Sequence, residues 1–251
     1  MNDSFIILFL LIIFVNFLYI IYYYNKESFN DLNFKMYVIS LRREDRLKNI
    51  EDQQKKINHN IEIIDAVKGD KLDLDNMIND GIISSSWKNG VEYKKREVGC
   101  YLSHYNIYNK ILSDREPGYT IVFEDDFNVI VDHFIINVNK IVELLNDDFD
   151  IIFLGNHNKN HGKPLNDNIF YIDQNELLIG THSYIINNKN IEKIIRFTKN
   201  IDMAIDWKLS TLGKNNDLNI LVVYPTLVDI IDSESNIRNM NIETFRKLED
   251  F

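Results

Sequence analysis

From Met36 onward, short apolar runs of strand length alternate with longer segments whose apolar residues recur at helical spacing. That alternation restricts the soluble part of the chain to an α/β fold on a largely parallel sheet. Strands are expected at MYVISL (36–41), IEIIDAV (61–67), YTIVFED (119–125), DIIFLG (150–155), ELLIGTHSYIIN (176–187) and LNILVVYPT (218–226). Helices are expected over 43–57, 97–113, 132–146 and 188–199, the third with Asp132 as its N-cap before an apolar face running from Phe134 to Leu145. Residues 68–95, with Gly69, Gly81, Gly90 and a run of three serines, read as an extended loop of the kind that shapes binding sites.

Ahead of this domain, Phe5–Tyr24 carries no charge and ends in tyrosines. At about 1.5 Å per helical residue it is long enough to cross a hydrocarbon core of roughly 30 Å. It is expected to be an uncleaved single-pass anchor occupying 1–25, followed by a polar tether (26–35) and a catalytic domain (36–251). Asp3 before the run and Lys26 and Lys35 after it leave the side of the membrane undetermined. The 251 residues hold 28 basic and 38 acidic side chains, a net charge of −10, which argues against a general nucleic-acid partner. With Cys100 the sole cysteine, no intrachain disulfide forms, and it reads as a small core residue.

A hydrophobic strand that ends in Glu124, Asp125 and Asp126 poses an electrostatic problem. Carboxylates that close repel one another unless a cation or hydrogen bonds hold them charged. If the strand runs through the triplet, Glu124 and Asp126 face one way and Asp125 the other. At the C-terminal end of a strand they would meet the crevice where α/β sheets bind ligands, and a hard ion such as Mn²⁺ or Mg²⁺ bound there would also hold a diphosphate. A solvated acidic turn is the other reading. Arg42, Arg43 and Arg46 follow the first strand and suit a diphosphate, or equally a surface helix paired with Glu44 and Asp45. His104 interrupts an apolar helical face as either a functional or a hydrogen-bonded structural group.

Taken in order, VISLRREDR (38–46), EVGCYLSH (97–104) and IVFEDD (121–126) resemble glycosyltransferase family 25, the lipooligosaccharide and collagen galactosyltransferase-like enzymes. GTHSYIINNKNIEKII (180–195), MAIDWKLS (203–210) and PTLVDIIDSESNIR (225–238) extend the resemblance, with Asn236 where the family often has Asp. The resemblance implies a GT-A-like nucleotide-sugar-binding fold, a UDP-sugar donor and Mn²⁺. It also implies transfer of a hexose, galactose before glucose, to a glycan or protein hydroxyl with inversion. It puts the metal on Asp126 and Glu124, with Asp125 or Glu124 in supporting or ribose-binding roles. The same reading places Arg42, Arg43, Arg46, His104 and His182 around the donor, His182 otherwise being a hydrogen-bonded core histidine. It makes Asp206, beside Trp207, the first candidate base, the alternative being a helix-capping Asp next to a buried structural Trp. Asp229 and Asp232 are weaker candidates. Competing readings are a metal-dependent phosphohydrolase, which needs further clustered ligands, and a membrane-anchored, non-catalytic carbohydrate-binding or scaffold protein on a degenerate transferase fold.

Overall fold

A computed structural model describes residues 13–16, 32–85, 92–115 and 117–231. The chain divides into two compact units, Met1–Asn33 and Phe34–Phe251. Within the first, residues 13–16 are helical and exposed, and the rest of the expected anchor lies outside the described residues, as do residues 26–31 of the tether. Among the described residues no helix is long and apolar enough to cross a membrane.

The second unit is a mixed α/β domain around a seven-stranded sheet. In chain order its elements are β1 (Phe34–Ser40), α1 (Glu44–Ile57), β2 (Glu62–Asp65), α2 (Leu74–Asn79), α3 (Glu92–Asp114), β3 (Tyr119–Glu124) and β4 (Phe127–Val129). They continue as α4 (Phe134–Leu145), β5 (Ile151–Gly155), β6 (Ile169–Tyr171), β7 (Ser183–Asn187), α5 (Ile191–Thr198), α6 (Ile205–Lys214), β8 (Ile220–Val223) and β9 (Val228–Ile230). The sheet order is β2-β1-β3-β7-β5-β8-β6, while β4 and β9 form a separate antiparallel ribbon.

The expectation of a largely parallel sheet is corrected. β1 runs parallel to β2 and β3, and β5 parallel to β8, but β7 is antiparallel to both β3 and β5, and β6 to β8. The cause is the segment between β5 and β7. It contains no crossover helix, so the chain reverses after Gly155 and both β6 and β7 run against their neighbours. The expected strand 176–187 shortens to Ser183–Asn187 because Gly180, at φ +89°, breaks the extended path.

Other boundaries shift for local reasons. α3 begins inside the expected loop 68–95, which also holds α2, capped by the Asp73 carboxylate accepting from the Asn76 N–H at 3.2 Å. The cap of α4 is His133, in the left-handed region at φ 52°, not Asp132. α6 and the β4–β9 ribbon were not anticipated, since each is short and only its tertiary partner makes it worthwhile.

Continuous apolar runs in β1, β5, β7 and β8 are buried because helices cover both faces. On one face Tyr37, Val122 and Tyr184 pack with Tyr101, Ile107 and Tyr108 of α3. On the other, the Phe123 ring lies 4.2 Å from that of Phe127 and 6.2 Å from that of Phe134. Strand alternation therefore turns Val122 and Glu124 toward α3 and Phe123 away from it. β1, β3, β5 and β8 all end at the same edge of the sheet, where β7 begins.

Gly155, at a bulge on that edge, is packed so closely that a Cβ would sit 1.9 Å from the Val228 carbonyl oxygen and 2.6 Å from His182 Nε2. Gly155→Ala is therefore expected to destabilise the domain by about 1–3 kcal/mol, read from urea unfolding midpoints. An unchanged midpoint would contradict this packing.

Candidate active site

A cavity of about 520 Å³ opens at the edge where β1 and β3 end. Its size falls within the roughly 300–1,000 Å³ of small-molecule sites. The end of β1, the loop after β2 and the side of α3 carrying Arg96, Cys100, Ser103 and His104 form its walls, with Glu124 and Asp125 on one side and the cations Arg43, Lys68 and Arg96 also lining it. Gly69 is where loop and helix meet: a Cβ there would lie 2.2 Å from the Lys95 carbonyl oxygen. The alternating-sign lining suits a polar ligand that is itself anionic and metal-bound.

Glu124 is held on the α3 side of the sheet. One oxygen accepts from the Thr181 hydroxyl at 2.6 Å, and His104 Nε2 stands 3.4 Å from the same oxygen. The other His104 nitrogen, Nδ1, is 2.8 Å from the Tyr184 hydroxyl, which donates onward to Tyr108 at 3.2 Å. Burial pushes the Glu124 carboxyl up, but His104, Thr181 and the ring of His182 outweigh it and bring it down to about 2. Glu124 is a carboxylate at every working pH.

Asp125 and Asp126 turn toward α1 instead. The strand ends at Glu124 and both aspartates lie in the tight turn before β4, so strand alternation does not set where Asp126 points, although the Glu124 charge still bears on it. Asp125 accepts from the Ser40 hydroxyl at 2.7 Å, and Asn49 clasps the turn by donating to the carbonyls of Asp125 (3.1 Å) and Phe127 (2.9 Å). Arg46, fully buried, reaches both acids: Nε lies 3.7 Å from Asp125 Oδ1 and Nη1 3.7 Å from Asp126 Oδ2.

The remaining Asp126 oxygen, Oδ1, is buried with no hydrogen-bond partner. Burial, with the charges of Glu124 and Asp125, pushes this carboxyl up to about 7 against the pull of Arg46. Burial also raises Asp125, opposed by Ser40 and Arg46. An oxygen-only donor set that keeps one buried oxygen unsatisfied fits a hard divalent cation.

The three arginines separate. Arg46 is inside; Arg42, at φ 58°, pairs outward with Asp65 and does not line the cavity. Arg43 lines it while bonded to Asp45 at 2.8 Å. His182 is buried behind Glu124, Nε2 3.4 Å from the Val228 carbonyl, its backbone carbonyl accepting from the Glu124 N–H at 3.1 Å. Burial and the neighbouring His157 ring bring its imidazole down to about 4, so it is neutral at working pH.

Asp206 opens α6 and accepts from the Gly180 N–H at 3.0 Å and the Trp207 N–H at 2.9 Å. Through Gly180 it anchors the segment that carries Thr181 to Glu124. Trp207, 41% exposed, stands beside it. Asp229 pairs with Lys159 at 3.3 Å, and Asp232 and Asn236 lie outside the described residues. Sequence reasoning did not single out Ser40, Arg96 or Thr181, whose isolated positions carry no pattern. Cys100, expected in the core, packs against it and also lines the cavity one helical turn from His104, a spacing that was readable.

Residues 33–209 match the family model described as glycosyltransferase family 25 (LPS biosynthesis protein). The chain belongs to that family. It is 30% identical over 138 residues to procollagen galactosyltransferase 1-B of Xenopus laevis, covering 52% of this chain and 22% of that protein. To procollagen galactosyltransferase 1 of Danio rerio it is 31% identical over 106 residues, 41% of this chain and 17% of the relative. A further match is the immunodominant envelope protein p35 of fowlpox virus, 26% identical over 125 residues, 47% of this chain and 38% of the viral protein. The matched region thus spans about a fifth of the procollagen galactosyltransferases.

The raised Asp126 has a stability consequence. The folded state holds this proton more tightly than the unfolded chain, where aspartate titrates near ~3.9, so its contribution to stability declines as pH rises toward and through about 7. At pH 8 without divalent metal, Asp126→Asn is expected to melt higher, by about 0.5–2 kcal/mol in stability. A variant no more stable than the wild type would contradict a carboxylate whose burial outweighs its pairing with Arg46.

Proposed function

We propose that this chain is a metal-dependent glycosyltransferase with a GT-A-like domain that moves a hexose, galactose first, from a UDP-sugar to a hydroxyl of a glycan or protein acceptor, inverting the anomeric centre. The observation that carries the reading is the acidic run whose Glu124 and Asp125 line the cavity, followed by Asp126 with its unpartnered buried oxygen, in a chain of glycosyltransferase family 25. Procollagen galactosyltransferases among its relatives support galactose.

Asp126 and Glu124 would hold Mn²⁺ or Mg²⁺, which when bound offsets charge on the departing diphosphate. Arg43, Lys68 and Arg96 line the same cavity and would bind the diphosphate oxygens. Arg46 keeps Asp125 and Asp126 close despite their repulsion, and Ser40 fixes the Asp125 carboxylate toward the donor. In the transfer step the acceptor oxygen attacks the anomeric carbon from the face opposite the diphosphate. The bond from that carbon to the phosphate oxygen breaks, UDP departs with the electron pair, and the acceptor proton goes to a base.

Asp206 is the base in this reading. Its carboxylate stands at the start of α6, where the exposed Trp207 ring beside it offers a sugar a stacking face. Membrane attachment through the uncharged run Phe5–Tyr24 belongs to the same proposal. The full chain is expected to float with liposomes and a chain lacking residues 1–25 to stay behind; flotation of both would remove the anchor from the account.

The activity is tested with a panel of UDP-sugars and UDP release as the signal. Turnover of UDP-galactose that requires Mn²⁺ and falls at least about 100-fold in Asp126→Ala is expected. A folded protein that neither turns over nor binds any donor would favour the non-catalytic, carbohydrate-binding scaffold.

A further inference from the structure

The α3 wall of the cavity carries a different donor set. Cys100 and His104 lie one turn apart on α3 beside Glu124, with Sγ, an imidazole nitrogen and a carboxylate oxygen all within 4.8 Å of one another, and all three residues line the cavity. Sulfur, nitrogen and oxygen ligands bind Zn²⁺ at about 2.3, 2.0–2.1 and 2.0–2.2 Å, so atoms sharing one tetrahedral ion lie about 3.3–3.6 Å apart. Small rotamer shifts therefore bring these three onto one ion. We propose that Cys100, His104 and Glu124 form a second, soft-metal site that takes Zn²⁺ in three-ligand coordination.

The surroundings of these side chains are those of a metal site rather than of three core residues. His104 is fully buried, and Nε2, the nitrogen aimed at Glu124, makes no hydrogen bond. Its other nitrogen is 2.8 Å from the Tyr184 hydroxyl, which passes its own proton to Tyr108. Nδ1 is thus placed to donate to Tyr184, so a metal ion would displace any proton between Nε2 and Glu124 and take up the Nε2 lone pair, with Tyr184 as the outer-sphere partner that orients a metal-binding histidine. Thr181 does the same for the carboxylate, donating to Glu124 at 2.6 Å. Thiolate and imidazole select Zn²⁺ over Mg²⁺ and Mn²⁺, whereas Asp125 and Asp126 offer oxygen alone. The fourth position faces the cavity, open to water or to a phosphate oxygen, and binding releases the Cys100 proton to solvent.

Glu124 is common to both donor sets, so the two ions compete for it. Resting on the transferase reading, this makes Zn²⁺ an inhibitor that chelation reverses. The site itself stands independently of that reading and is tested without a donor. Cobalt(II) is titrated into the full-length chain in its reduced form. One equivalent is expected to raise a near-ultraviolet thiolate-to-cobalt band with intense tetrahedral visible bands, and Zn²⁺, not Mg²⁺, should displace it. His104→Gln should weaken cobalt binding at least about tenfold and Tyr184→Phe, which leaves the ligands in place, several-fold, with circular dichroism confirming that both fold. No sulfur band, or a band whose affinity is unchanged in both variants, would overturn the site. UDP binding with Mn²⁺, measured on the same samples, separates this failure from failure of the transferase reading.

Discussion

Three consecutive carboxylates at the end of a buried strand are the constraint around which the rest of this domain is arranged. Left alone they would repel one another and be driven toward protonation by burial. The fold answers each one differently. Glu124 is drawn to the α3 face and held by His104 and Thr181, while Asp125 takes the Ser40 hydroxyl. Asp126 shares Arg46 with Asp125 and keeps one oxygen unmet. Each partner comes from a different part of the fold, so β1, α1, α3 and the segment leading into β7 must all converge on the end of β3 for the triplet to exist.

This convergence explains the topology. An antiparallel β7 begins where β3 ends, and only that direction brings Gly180, Thr181 and His182 beside Glu124. Asp206, at the start of α6, then pins Gly180 through its backbone N–H. Support and proposed chemistry are thus linked: the group read as base also fixes the segment that orients Glu124. Gly155 and the β4–β9 ribbon close the same edge from behind.

Much of this was legible in the sequence where side-chain period and local chemistry agree. The apolar run into Glu124-Asp125-Asp126 marks a strand meeting a binding edge, and Val98, Tyr101 and Tyr108 mark the buried side of α3. Arg46 was also readable as the inward arginine, since Arg46, Ile50, Gln53 and Ile57 recur at helical spacing and Arg42 and Arg43 precede the helix. Strand direction was not. It depends on whether the chain after Gly155 crosses over or turns back, and a segment rich in asparagine says little about either. Nor could the strand end be placed to the residue, and that end decides whether strand alternation orients Asp126 at all. Thr181 and Ser40 acquire meaning only once the sheet is assembled.

Membership of glycosyltransferase family 25 and the geometry of the acidic turn meet in one claim, that Asp126 and its neighbours seat a metal that carries a diphosphate. Calorimetric titration of UDP into the protein, with and without Mn²⁺, tests that claim most directly. The account predicts binding that is at least about tenfold tighter with Mn²⁺ in the wild type and indifferent to Mn²⁺ in Asp126→Ala. Equal affinity in the presence and absence of Mn²⁺, or a metal response that survives the substitution, would contradict it.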